Sequence, residues 1–179
     1  MAEFLWIFWS FSLLGWVLER LFAAVTRSPR RRRRCLLLLP LCPVYGLGMA
    51  AVLALPPSLR SGWPLYLWGG LTATSVEYIY HWWGETFLGV SFWDYTGVFG
   101  NFRGRVCLPF SLAWGLLLFP AVYLVTPPVV VLADRVPIGV TWWLLLAFTA
   151  DAVCSLRFLA VTHDLEALRA VIWPVSADR

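Results

Sequence analysis

The chain has 179 residues, of which 60% are hydrophobic and only 13% charged, with a mean hydropathy of +0.74. Soluble domains are about 45–50% apolar and about 25% charged, so this composition excludes an ordinary soluble domain and points to the membrane class. The net charge of +4 hides an asymmetry: all fourteen basic residues are Arg, and six lie between Arg27 and Arg34.

A membrane-spanning helix needs about 20 predominantly apolar residues. The first such stretch is Glu3–Val25. Basic residues follow it rather than precede it, which predicts an uncleaved first helix with its N-terminus outside, not a signal peptide. Glu19 lies within it. A charge near the bilayer centre costs roughly 2.5–3.5 kcal/mol on insertion scales, so such a residue marks a functional position. Its neighbour Arg20 points about 100° away around the helix and can snorkel to the interface. That leaves Glu19 to an interior partner, either Arg105 or a tyrosine hydroxyl. The arginine run reads as a cytoplasmic loop obeying the positive-inside rule rather than as a nucleic-acid patch.

The second stretch, Leu36–Leu55, carries Pro40, Pro43, Gly46 and Gly48 within nine residues. Prolines remove amide donors and glycines loosen the backbone. Two readings stay open: a broken helix with free backbone groups on a substrate path, or a kinked helix packing its small residues on a neighbour. Tyr45 sits beside these glycines. The third stretch, Pro64–Leu88, places Glu77, His81 and Glu85 at i, i+4 and i+8 along one stripe. A Glu–His pair can share a proton or hold a metal. With no further His nearby, a proton relay or polar packing core is the better reading.

The loop from Gly89 to Arg105 is the longest on its side. The fourth and fifth spans are predicted at Val106–Val125 and Val140–Ala160, with Pro127-Pro128 and Pro137 in the connection between them. Asp151 repeats the buried-acid pattern in the fifth span. Beyond it, residues 163–179 form a short cytoplasmic tail, separate from the transmembrane domain 1–162. There Asp164 is expected to cap a helix with Leu165, Leu168, Val171 and Ile172 on one face, and His163 reads as a solvated residue. Five spans put eleven arginines on the inner side and only Arg60 and Arg135 on the outer, with Arg20 near a membrane end. The predicted topology is therefore N-out, C-in.

A weak internal repeat is also present. Arg34-Cys35-Leu36 precedes Tyr45-Gly46-Leu47, and Arg105-Val106-Cys107-Leu108 precedes Trp114-Gly115-Leu116. It implies two similarly oriented hairpins plus one helix. The four cysteines form no C-x-x-C pair, so neither a zinc site nor a disulfide framework is indicated. No nucleophile elbow, zinc-protease helix or Walker lysine occurs; the chain has no lysine at all. No cofactor or metal is expected, and the chain does not read as an enzyme.

Several motifs together resemble the bacterial ABC-transporter type IV family, also called CmpB-like. These are Gly15-Trp16 with Glu19, Pro40 with Cys42-Pro43-Val44-Tyr45-Gly46, Glu77-Tyr78, Glu85, Trp93-Asp94-Tyr95, Asn101, Gly104-Arg105, Cys107-Leu108 and Trp114-Gly115. They cover roughly Leu5 to Leu118, and Asp151 matches an acid in the family's last span. The family's Asn-Arg-Gly element before the second span is replaced here by the arginine run.

The resemblance implies a permease subunit of an ABC system in the cell membrane. Its expected partners are membrane lipids, a separate nucleotide-binding ATPase subunit and a further copy of itself, with no nucleic acid. On this reading the fold is an all-α, multi-pass helical bundle of about five spans. Glu19, Glu77, Glu85 and Asp151 converge on a polar interior that binds an ion, protons or a small polar substrate, with Tyr45 and His81 in its wall. In the inner loop Asp94, between Trp93 and Tyr95, pairs with Arg105 or caps the fourth span, with Asn101 in the same network. The alternatives are a loop stapled to the membrane surface, and for the whole chain a membrane scaffold with structural acids or a lipid-acting intramembrane enzyme.

Overall fold

A computed structural model describes residues 2–26 and 35–170. The arginine run and the end of the tail, including Val171 and Ile172, lie outside the described residues. Helix α1 is Ala2–Thr26 and α2 is Pro43–Leu53. Helix α3 runs through residues 62–88 without a break, and its turns widen to π geometry at Leu65–Gly69 and Gly84–Leu88. Helix α4 is Leu108–Arg135, α5 is Ile138–Thr162 and α6 is Leu165–Ala170. Between α3 and α4, strands β1 (Asn101–Phe102) and β2 (Val106–Cys107) pair antiparallel in a two-stranded hairpin.

Three of these helices, α1, α4 and α5, are long and apolar enough to cross a membrane. At 1.5 Å per residue each exceeds the roughly 30 Å hydrocarbon core. Their large apolar side chains face outward, as a membrane-facing surface requires: Leu116, Leu124, Trp143 and Val161 are all exposed. Tight packing is concentrated elsewhere. One core joins Leu36, Leu37, Val44, Phe92, Trp93, Leu159 and Leu168, and a second joins Ile7, Phe11, Met49, Val52, Leu65 and Leu118.

The second predicted span is broken, not kinked. Residues 35–42 are non-helical, and α2 starts only at Pro43, with Cys42 as an extended N-cap. Proline at the first helical position needs no amide donor, so the chain turns helical where Pro43 no longer costs it a bond. At about 16 Å, α2 is half a span. Three of the freed amides before it are taken up by acceptors on other helices. Cys42 N–H donates to the Ser12 carbonyl at 2.9 Å, and Leu38 and Leu39 N–H donate to Asp151.

The fourth span also differs from its expected bounds. Val106 and Cys107 belong to the hairpin, and the helix that follows continues past Val125 to Arg135. Pro127 and Pro128 do not end it. They fall in the first turn after a π-widened segment, Ala121–Val125, where the Thr126 hydroxyl donates to the Ala121 carbonyl at 2.9 Å. The hairpin was not foreseen. Its turn rests on Arg103 and Gly104, both with positive φ (54° and 70°), the backbone shape that matches strand twist in a tight hairpin.

Two further expectations are corrected. Cys35 and Cys42 form a disulfide, because the non-helical segment folds back and brings their Cα atoms to 5.1 Å. His163 is not merely solvated: it closes α5 in a left-handed conformation and its Nδ1 donates to the Leu88 carbonyl at 2.6 Å, pinning the end of α5 to the end of α3. The tail helix forms as its cap signal indicates. Asp164 Oδ1 accepts from the amides of Glu166 and Ala167 at 2.8 and 3.2 Å, and Leu165 and Leu168 are buried.

Candidate functional site

Glu77 lies on α3 and is 1% exposed. Each of its carboxyl oxygens accepts from an aromatic donor: Tyr95 O–H at 3.2 Å and Trp114 Nε1–H at 2.8 Å. Glu19, on α1 and half-buried, accepts from the Tyr45 hydroxyl, so its partner is the tyrosine alternative and not Arg105. The two acids are joined through their donors. The rings of Tyr45 on α2 and Trp114 on α4 meet edge-on, with centroids 5.1 Å apart at 68°. Gly15 allows this, since a β-carbon there would overlap the Tyr45 ring. Four helices thus contribute to one continuous series, Glu19–Tyr45–Trp114–Glu77–Tyr95.

Two cavities flank the ring pair. One, of about 340 Å³, is lined by Gly15, Tyr45, Gly48, Ala73, Glu77, Trp114 and apolar residues of α1 and α4. The other, of about 430 Å³, is lined by Glu19, Phe22, Tyr45, Trp93, Asp94, Tyr95, Phe110 and Trp114. Glu85 and Asp151 line neither.

Glu85 belongs to a separate network one to two turns along α3. Its Oε1 meets His81 Nε2 at 3.1 Å, and its Oε2 accepts from Arg105 Nε at 2.7 Å. Arg105 also donates to the Tyr78 hydroxyl at 2.9 Å. Ser91 lies 3.3 Å from His81 Nε2 and donates to the Trp93 carbonyl, while Trp93 Nε1 donates to the Arg105 carbonyl at 2.7 Å. This arrangement straps the loop between α3 and α4 to α3. Asp151 forms a third group: Oδ1 accepts from Leu38 N–H (3.1 Å) and Ser155 O–H (2.9 Å), and Oδ2 from Leu39 N–H (2.9 Å). The four acids therefore divide among three places instead of converging.

The expected Asp94–Arg105 pair does not form. The hairpin turns the Arg105 side chain onto α3, and Asp94 instead accepts from the Thr96 amide at 2.8 Å in a local turn. Nor does Asp94 cap the fourth helix, whose N-cap is Cys107. Asn101 stays within the hairpin turn, accepting from Gly104 N–H and donating to the Val98 carbonyl. The Thr96 hydroxyl and amide hold the Asp94 carboxyl below the usual carboxylate range. Its folded value then lies below its unfolded one, so its stabilisation is complete above the unfolded value and is lost as pH falls through the folded value. Asp94→Asn is expected to flatten this acid limb, below about pH 4, in a profile of melting temperature against pH. Superimposable acid limbs for the variant and the parent would contradict the assignment.

Residues 6–156 match the family described as "Putative ABC-transporter type IV". The chain belongs to that family. With three helices fit to cross a bilayer, it is a membrane protein. No curated protein and no solved structure matches it.

Of the type IV family motifs read from the sequence, Glu19, Tyr45, Glu77, Tyr95 and Trp114 assemble into one cluster. Glu85 and Arg105 pair with each other, and Asp94 and Asn101 serve local turns. Sequence reasoning missed Trp114, Tyr78 and Ser91 as site residues. Trp114-Gly115 stood in plain view as the counterpart of Tyr45-Gly46, and that correspondence was the available signal.

Proposed function

We propose that this chain is a permease-like membrane subunit of an ABC-type transport system, spanning the bilayer five times with its N-terminus outside and its C-terminus inside. On this reading it carries no catalytic activity of its own. The observation that carries it is the Glu19–Tyr45–Trp114–Glu77 series set between two cavities in a chain of this family. Buried polar groups in a bilayer are expensive and collect along the paths of ions, protons or polar substrates. The count of five spans includes α3 and the half-helix α2 with the non-helical segment before it. The arginine distribution supports the orientation.

Glu85 and Asp151 favour a second, structural role, because each is taken up in holding a loop or a non-helical segment in place. The transport reading assigns the path to Glu19 and Glu77 and leaves these two acids to architecture. Energy would come from a separate nucleotide-binding subunit.

Purification of the tagged protein from its native host in mild detergent, with quantitative mass spectrometry, tests the assignment. The expected result is a nucleotide-binding ATPase recovered in near-stoichiometric amount. A homo-oligomer lacking any ATPase would overturn the ABC subunit reading.

A further inference from the structure

The two cavities share four lining residues, Leu18, Tyr45, Trp114 and Leu117, and the aromatic pair stands between them. They differ in character. The first is walled almost wholly by carbon, with Glu77 and Tyr45 its polar features, and it follows the outward faces of α1 and α4 from Phe11 to Leu21 and from Leu117 to Val125. The second lies under the loop carrying Trp93, Asp94 and Tyr95 and also contains Glu19.

We infer that Tyr45 and Trp114 form a two-ring gate between the compartment along α1 and α4 and a second compartment under the 93–95 loop that holds the acids Glu19 and Asp94, latched by Glu19 on one ring and Glu77 on the other. Each ring offers its polar atom away from the contact. Tyr45 gives its hydroxyl to Glu19 and Trp114 gives its indole N–H to Glu77. Swinging either ring out of the contact by itself breaks its own hydrogen bond, so each side chain is held in the closed position. The Tyr45 ring lies directly on Gly15 and Trp114 directly precedes Gly115, itself packed against Tyr66, so the backbones beneath the gate are closely seated. The polar groups that hold the rings come from α1 and α3, while the rings come from α2 and α4. Movement of α1 with α2 against α3 with α4 would part the rings and open the passage without breaking either hydrogen bond. The significance of the gate rests on the permease reading; its existence does not.

The test uses the full chain in sealed membrane vesicles, with a cysteine placed in the apolar compartment as Gly48→Cys. Gly48 lines that compartment, and a β-carbon there meets nothing within 4 Å. The probe is a charged, membrane-impermeant methanethiosulfonate, added to the side from which Asp94→Cys is labelled. Modification at position 48 is read by peptide-resolved mass spectrometry, so the native cysteines need no replacement.

With both rings intact, position 48 should react slowly. Trp114→Ala should raise the rate about tenfold or more, the population shift expected when a hydrogen bond and its ring contact are lost. Trp114→Phe, which keeps a ring but loses the bond to Glu77, should fall between. An uncharged alkyl thiosulfonate, entering through the bilayer, should label position 48 equally in every variant that folds. Should Trp114→Ala fail to accumulate, the Trp114→Phe comparison decides by itself. Equal rates for the charged probe in all folded variants would overturn the gate, whatever subunits the protein purifies with.

Discussion

Asp151→Ala is expected to lower the stability of the protein by about 2–3 kcal/mol, the loss of one acceptor shared by two partly exposed backbone amides and the Ser155 hydroxyl. The Leu38 and Leu39 amides belong to a non-helical segment, and both are served by this one carboxyl group. Asp151 lies near the middle of the 25-residue helix α5, so on the proposed five-span topology the segment it holds sits at mid-depth in the bilayer, where water is scarce as a substitute acceptor. In thermal unfolding at fixed detergent, the melting temperature should fall by roughly 10 °C for a protein of this size. Asp151→Asn keeps one acceptor oxygen and should lose about half as much. A melting temperature within a degree or so of the parent for Asp151→Ala would show that the amides are satisfied in some other way.

The second large effect is expected at the seam between α1 and α2. A β-carbon on Gly46 would overlap the backbone carbonyl of Phe8 and the Ser12 hydroxyl, and backbone does not yield as a flexible side chain does. Gly46→Ala must therefore push the helices apart, at a cost of about 3 kcal/mol from overpacking. Gly48, two residues on, has open space at the same position. Gly48→Ala should be neutral or stabilising by about 0.5–1 kcal/mol, because alanine loses less freedom in a helix. The pair separates helix propensity from helix contact. Equal melting temperatures for the two variants would contradict the close approach at Gly46.

Much of the helical plan was legible because apolar length and buried acids are one-dimensional signals. α1, α3 and α5 fall within a few residues of their expected bounds, and the Asp164 cap is a local code read correctly. Proline was read too uniformly. Pro43 starts a helix, while Pro127 and Pro128 ride inside one, and the difference lies in whether a widened turn precedes them. The acids were individually recognisable as interior residues, yet their grouping was not. Grouping depends on which face of which helix meets which neighbour, and a short hairpin decides it for Arg105. Turning at Arg103 and Gly104 aims the arginine at Glu85 and leaves Asp94 to Thr96. The Tyr45–Trp114 contact depends likewise on Gly15, a residue whose contribution is the absence of a side chain.

The non-helical segment before α2 also carries a consequence for synthesis. Its two amides wait for an acceptor 112 and 113 residues further along the chain. At roughly 5–20 residues per second, that interval is about 6–20 s. The acceptor for these amides therefore arrives only with the last long helix, and α5 completes what the residues after α1 began.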